Sequence, residues 1–157
     1  MRCPNSGISL RSGREADHKM SYDPNNVFAK ILRGELPSVR VHEDENTLAF
    51  MDIMPSADGH TLVIPKEPVE TLFDLSSPAA AALMLTTQRV AAAVKAALAC
   101  PGLMLVQLNG AAAGQSVPHL HIHVVPRFEG SDLRLHGRAK AEIDQLEKIA
   151  ARIRQHL

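Results

Sequence analysis

Apolar residues along this 157-residue chain recur with two periods, and where the period changes the chain changes element. Phe28, Ile31 and Leu32 share one helical face behind Asn25 and Asn26, either of which can cap a helix. A short helix is expected over residues 27–33, ended near Gly34, and Pro37 breaks the pattern. Residues 39–42 and 47–51 read as two strands joined through the acidic turn Glu43-Asp44-Glu45-Asn46. After a loop over 55–59, residues 60–64 read as a third strand, stopped by Pro65. Ser76-Ser77-Pro78 starts a long Ala-rich helix that runs to about residue 99, with Leu83, Val90 and Val94 near helical spacing, and Pro101-Gly102 ends it. Residues 103–108 form a fourth strand, 109–118 a Gly/Ala/Ser loop, and 119–125 a fifth strand closed by Pro126. A last amphipathic helix is expected over 138–157, with Ile143, Leu146, Ile149 and Ile153 on one face. This order of elements predicts an α+β fold with a five-stranded antiparallel sheet.

Composition narrows the function. Hydrophobic residues make up 45% of the chain, enough to fold, and the length suits one domain. Residues 21–157 are read as that domain and residues 1–20 as a flexible extension. Seventeen basic residues offset seventeen acidic ones, so no global field marks nucleic acid or an anionic membrane as a partner. A bound phosphate must then be held by local groups. No apolar run approaches the roughly 18 residues of a membrane span, and no apolar core follows the early arginines as in a secretory signal. Cys3 and Cys100 form no framework, which fits a reducing cytoplasm.

The chemistry concentrates in His119-Leu120-His121-Ile122-His123-Val124-Val125. Strand alternation puts the three histidines on one face and Leu120, Ile122 and Val124 on the other. A plain exposed polar face would explain three such rings. The preceding segment, Gly110-Ala111-Ala112-Ala113-Gly114-Gln115-Ser116, adds a second signal. Glycines let backbone N–H groups approach an anion and form a nest, and Gln115 and Ser116 bring neutral donors. An imidazole row beside an anion-holding turn, with no carboxylate at its centre, suits attack on a phosphate by a neutral imidazole.

The segment Gly114-Gln115-Ser116-Val117-Pro118-His119-Leu120-His121-Ile122-His123-Val124-Val125 resembles the signature of the histidine-triad (HIT) superfamily. Leu48-Ala49-Phe50-Met51-Asp52-Ile53, the later Gly59-His60-Thr61-Leu62-Val63-Ile64-Pro65-Lys66, and the Val27-Phe28-Ala29-Lys30-Ile31 helix resemble it as well. The similarity covers about residues 26–128.

The resemblance implies that His121 attacks the α-phosphorus of a purine nucleotide conjugate, such as an AMP or GMP phosphoramidate, and forms a covalent nucleotidyl intermediate that water hydrolyses. It implies that His123 bonds a phosphate oxygen, and that His119 orients its neighbours and lies close to His60. It also implies that Asn109, Gly114, Gln115 and Ser116 serve the phosphate or leaving group. Asp52 matches an acidic residue that accepts from both ribose hydroxyls, a task suited to an ionised carboxylate. Phe28, Ile31, Phe50 and Ile53 would wall the base slot. The family further implies a homodimer in which two five-stranded sheets join into one of ten, with the helix over residues 78–99 as the interface element.

Some bacterial relatives bind zinc through a Cys-x-x-Cys pair and two histidines, but Asn26 and Ala29 stand at the cysteine positions here. His60 and His119 would supply only two ligands, so no zinc and no other cofactor is expected. The Pro126-Arg127-Phe128 ending leaves the leaving group open between an amine and a second phosphate, as in a dinucleoside polyphosphate. A nucleotide-binding regulatory protein with little turnover, and a metal-dependent hydrolase using the three histidines as ligands, are the competing readings. His18, His42, His136 and His156 are expected at the surface.

Overall fold

The computed structural model describes residues 22–131, 137 and 139–157. The expected extension over residues 1–20, with Cys3 and His18, lies outside the described residues, and so does His136. Helix α1 (Val27–Leu32) starts as expected: Asn26 accepts from the Ala29 N–H and supplies one of the partners that a helix start lacks. Strands β1 (Arg40–Glu43), β2 (Thr47–Met51) and β3 (Thr61–Pro65) follow. Helix α2 (Ser77–Leu98) is capped by Ser76, and its C-terminal Ala99 adopts a left-handed conformation. Then come β4 (Gly102–Gln107), β5 (Ile122–Arg127) and α3 (Ile143–Arg154).

The five strands form one antiparallel sheet in the order β1-β2-β3-β5-β4. Both faces are covered. Helices α2 and α3 pack on one face through Leu83, Val90, Val94, Leu146, Ile149 and Ile153, and Leu120, Ile122 and Val124 point into that core. Helix α1 lies on the other face, where Phe28 and Ile31 meet Leu48, Phe50, Leu62 and Ile64. Strands β2 and β3 are therefore buried along their whole length, as near-continuous apolar runs in a doubly covered sheet must be.

Several boundaries differ from expectation. Strand β3 continues through Pro65, because β5 pairs only with Thr61 to Val63, so the missing N–H interrupts no bond to β5. Strand β5 begins at Ile122 rather than His119 and runs through Pro126 in the stretch that pairs with β4 alone. Helix α3 begins at Ile143 rather than near residue 138. The backbone ahead of it is tied elsewhere: the Gly137 N–H donates to Met54 O at 2.8 Å and the Ala141 N–H to Ile53 O at 2.9 Å. Ile143 is accordingly exposed, not part of the buried stripe. His42 is half-buried, 3.4 Å from Asp44, and His156 is at the surface as expected.

Candidate active site

Between α1 and the sheet lies a cavity of about 400 Å³. Phe28 and Ile31 from α1, Phe50 and Leu62 from the sheet, and Ile53 and Met54 from the loop after β2 give it an apolar wall. Asp52, Ser116, His121 and His123 supply most of its polar side chains. The α1 helix therefore has two tasks. Its apolar stripe closes the second core, and the Phe28 ring stands 5.1 Å from His121 and 6.3 Å from His119, edge-on.

The three histidines lie on the face that α1 covers, although only His123 is within a strand, and all three are buried. Their backbone and side-chain partners set their tautomers. His121 Nδ1 lies 2.6 Å from the His119 carbonyl oxygen. A carbonyl only accepts, so Nδ1 carries the hydrogen and Nε2 of the neutral ring keeps its lone pair. The Ser56 N–H donates to His60 Nδ1 at 3.2 Å, so the hydrogen of a neutral His60 sits on Nε2. That nitrogen is 2.9 Å from His123 Nδ1 and donates to it, which leaves His123 with its own hydrogen on Nε2. His121 and His123, with ring centroids 4.9 Å apart, thus present opposite chemistry: one an acceptor or nucleophile, the other a donor.

The His119 ring itself plays no direct part in this pair. Its Nε2 donates to Pro65 O at 2.9 Å, and its Nδ1 accepts from the Tyr22 hydroxyl. Burial pushes its pKa down to about 4, against a smaller upward pull from the Pro65 carbonyl, so the ring is neutral at neutral pH. Burial also raises the Tyr22 phenol, which stays protonated as the donor this bond requires. His60 meets His123, not His119 as expected. The reason is register: β3 and β5 run antiparallel with Leu62 opposite His123, which carries the residues of β5 before His123 toward the Pro65 end of β3.

Asp52 follows β2 directly. Its N–H donates to His60 O at 3.0 Å, and its Oδ1 accepts from the Met54 N–H at 2.8 Å. Its Oδ2 is 3.5 Å from His60 Nε2. Asp52, His60 and His123 bring three possible cation ligands within 4.8 Å of one another. The Ser56 N–H holds the His60 hydrogen on the nitrogen that would have to face an ion, so this gap suits a proton better than a metal.

The loop before the histidines is built differently from the expected nest. Gly110 and Gly114 take positive φ, of 84° and 94°, which only glycine adopts readily. They frame a short turn whose N–H groups at Ala113, Gly114 and Gln115 bond within the loop. The Gln115 side chain accepts from Gly110 N and donates to the carbonyls of Glu70 and Val117. Of this loop, Ser116 and Val117 line the cavity; Gly114 and Gln115 do not. Asn109 accepts from the Leu72 N–H and exchanges bonds with Gln107, also outside the cavity wall. Residue patterning did not single out Tyr22, Ser38, Leu36, Met54 or Val117, which depend on how loops fold over the slot. The one local hint was Pro37, which breaks the pattern between α1 and β1.

Fold and site together define an α+β protein with a histidine-lined pocket against an apolar slot. The chain matches the HIT domain over residues 33–130. It is 40% identical over 108 residues to the protein Hit of Bacillus subtilis, covering 69% of this chain and 74% of that protein. It is 33% identical over 153 residues to the adenylylsulfatase HINT3 of Arabidopsis thaliana, covering 93% of this chain and 78% of that protein. The crystal structure of a HIT-like protein involved in cell-cycle regulation from Bartonella henselae superimposes with a TM-score of 0.82 at 44% identity, over 87% of this chain and 99% of that one. The chain belongs to the HIT family, and this membership is consistent with a nucleotide hydrolase or transferase. Among the described residues, no helix is long and apolar enough to cross a membrane.

Proposed function

We propose that this protein cleaves purine nucleotide conjugates at the α-phosphate, nucleoside phosphoramidates first, through a covalent nucleotidyl-His121 intermediate. The observation that supports the reading is that hydrogen bonds give two neighbouring, cavity-lining rings opposed tautomers, which suits one to attack and the other to donate. The His121 Nε2 lone pair forms a bond to phosphorus while the bond to the leaving group breaks. The leaving group departs with that electron pair and takes up a proton from solvent, which the attacking water gives back in the second step. Negative charge spreads over the non-bridging oxygens, which His123 Nε2–H and Ser116, both lining the cavity, would meet. Water then attacks phosphorus, releases the nucleoside monophosphate and returns a neutral His121. Two displacements replace one difficult step.

In this reading the purine lies between Phe28, Ile31, Phe50 and Ile53, and the ribose hydroxyls face Asp52. Gln115, Gly114 and Asn109 act by shaping the loop rather than by touching phosphate. His60 fixes the donor face of His123. No resident metal is required. The Arabidopsis relative named for adenylylsulfatase activity extends the leaving groups worth testing to sulfate.

A homodimer is part of the proposal. The β1 edge is occupied where Arg154 donates to Arg40 O, whereas β4 is the other sheet edge and exposes Leu105. An open apolar edge is a template for a second strand. A sheet of ten strands would then join at β4, and the outer side of α2, where Met84 and Leu85 are exposed, would be the helical part of the interface. Light scattering giving a monomer mass would contradict it. A reducing cytoplasm is the compartment this reading assumes.

The test compares turnover of an adenosine phosphoramidate, diadenosine tetraphosphate and adenylyl sulfate by the wild type and by His121→Ala. The phosphoramidate is expected to turn over fastest, and His121→Ala to abolish turnover of all three while AMP still binds. Activity retained in His121→Ala sinks the nucleophile assignment. A stoichiometric burst with negligible turnover favours a nucleotide-binding regulator.

A further inference from the structure

Ser38 raises a question that folding alone does not answer. Its Oγ is buried and has no hydrogen-bond partner among the described residues. A buried hydroxyl without a bond is disfavoured, and native structures keep few of them without a reason. This one stands in the wall of the cavity, beside Leu36 and Pro37.

Its position along the slot is informative. His123 pairs with Leu62, Leu62 with Phe50 and Phe50 with Arg40, so the cavity runs across the sheet from β5 toward β1. Three strand spacings separate those strands, about 14 Å. His121, His123 and Ser116 mark the β5 end, and Asp52 follows β2 between the two ends. Ser38 precedes β1 and marks the far end, where the other lining side chains, Val27, Ile31, Leu36 and Pro37, are apolar. An apolar slot buries the flat faces of a nucleobase well, but it strips water from the ring edge and returns no bond. A hydroxyl, at once donor and acceptor, repairs that loss.

We propose that Ser38 is a specificity-determining residue that hydrogen-bonds the edge of the bound purine. The inference rests on the nucleotide reading above and adds the group that reads the base. With no bond to give up, the hydroxyl turns about χ1 to meet the ring. In the ligand-free protein it is unsatisfied; in the complex it is not.

The test measures Kd of wild type and Ser38→Ala for AMP, GMP and ribose 5-phosphate by calorimetry, with thermal unfolding of both proteins in parallel. The proposal expects Ser38→Ala to weaken at least one purine nucleotide about five-fold or more. It expects ribose 5-phosphate affinity to stay unchanged and the ligand-free Tm to stay level or rise. The purine with the larger loss is the one whose edge Ser38 reads. Unchanged affinity for both purines overturns the proposal, as does an equal loss for ribose 5-phosphate. A fall in Tm with nucleotide affinity intact gives Ser38 a structural role and overturns it too. A wild type that binds ribose 5-phosphate but neither purine defeats Ser38 alone, whereas one that binds none of the three defeats the nucleotide reading itself.

Discussion

Acidifying the protein should destabilise it through His119. The ring is buried, with Nε2 donating to Pro65 O and Nδ1 accepting from the Tyr22 hydroxyl, so a second proton would charge a desolvated ring and force that hydroxyl to turn from donor to acceptor. Burial holds its pKa at about 4 in the folded state, against an ordinary 6.5 when the chain is unfolded. Between those values the unfolded state binds more protons, so stability is full above about pH 6.5 and falls as pH drops toward 4. At 1.36 kcal/mol per pH unit the full loss is about 3 kcal/mol, and about 2 kcal/mol of it is reached by about pH 5. With a urea m-value of about 2 kcal/mol per molar, that moves the unfolding midpoint down by about 1 M between about pH 7.5 and about pH 5. The assay is urea unfolding at a series of pH values for wild type and His119→Gln, whose amide does not titrate. The variant should be less stable at neutral pH, because two buried bonds are disturbed, but its stability should fall less on acidification. Parallel acid limbs in the two proteins would refute the assignment, because the lost stability would then come from other groups.

Gly137→Ala should strain the approach to the ribose side of the slot: a Cβ there would lie 2.2 Å from Pro55 O. A loss of about 1–3 kcal/mol is expected in thermal unfolding, with a raised KM for ribonucleotide substrate as the loop after Asp52 shifts; an unchanged Tm and KM would show that the contact gives way freely. Partial burial works to raise the Asp44 carboxyl, but bonds from Asn46 N–H, from Thr47 N–H and hydroxyl and from the Thr86 hydroxyl outweigh it and hold the pKa at about 2. Its stabilisation is present above the ordinary 3.8 and lost as pH falls toward about 2. With the side chain 37% exposed, solvent screening leaves about 1 kcal/mol, which Asp44→Ala should remove at neutral pH in denaturant titration; a variant as stable as wild type would contradict it.

How much of this was legible beforehand follows from how local each cause is. Strand β2 was read to its last residue because its apolar run is bounded by the Glu43 to Asn46 turn and by Asp52. The α1 start was legible because its cap is a neighbour in sequence. The α3 start was not, since the stretch before it is held by Ile53 and Met54, some 85 residues earlier in the chain. Alternation correctly put the three histidines opposite Leu120, Ile122 and Val124. It did not reveal that His119 and His121 precede the strand, because hydrogen bonds to β3 begin only at Ile122. The His60 partner was misjudged for the same reason: pairing register decides which rings meet, and register is a long-range property. Gln115 looks like a phosphate donor in sequence, yet its amide is consumed by the loop it stabilises. Ser38 carries no sequence signal beyond its neighbour Pro37, and only the folded slot makes its hydroxyl informative.

The most direct test of the account is to quench the reaction with an adenosine phosphoramidate during turnover, digest the protein and locate any nucleotidyl group by mass spectrometry. The account predicts an adenylyl adduct on the peptide containing His121, transient in wild type and absent from His121→Asn. An adduct mapped to another residue, or undiminished hydrolysis by His121→Asn with no adduct at all, would contradict it.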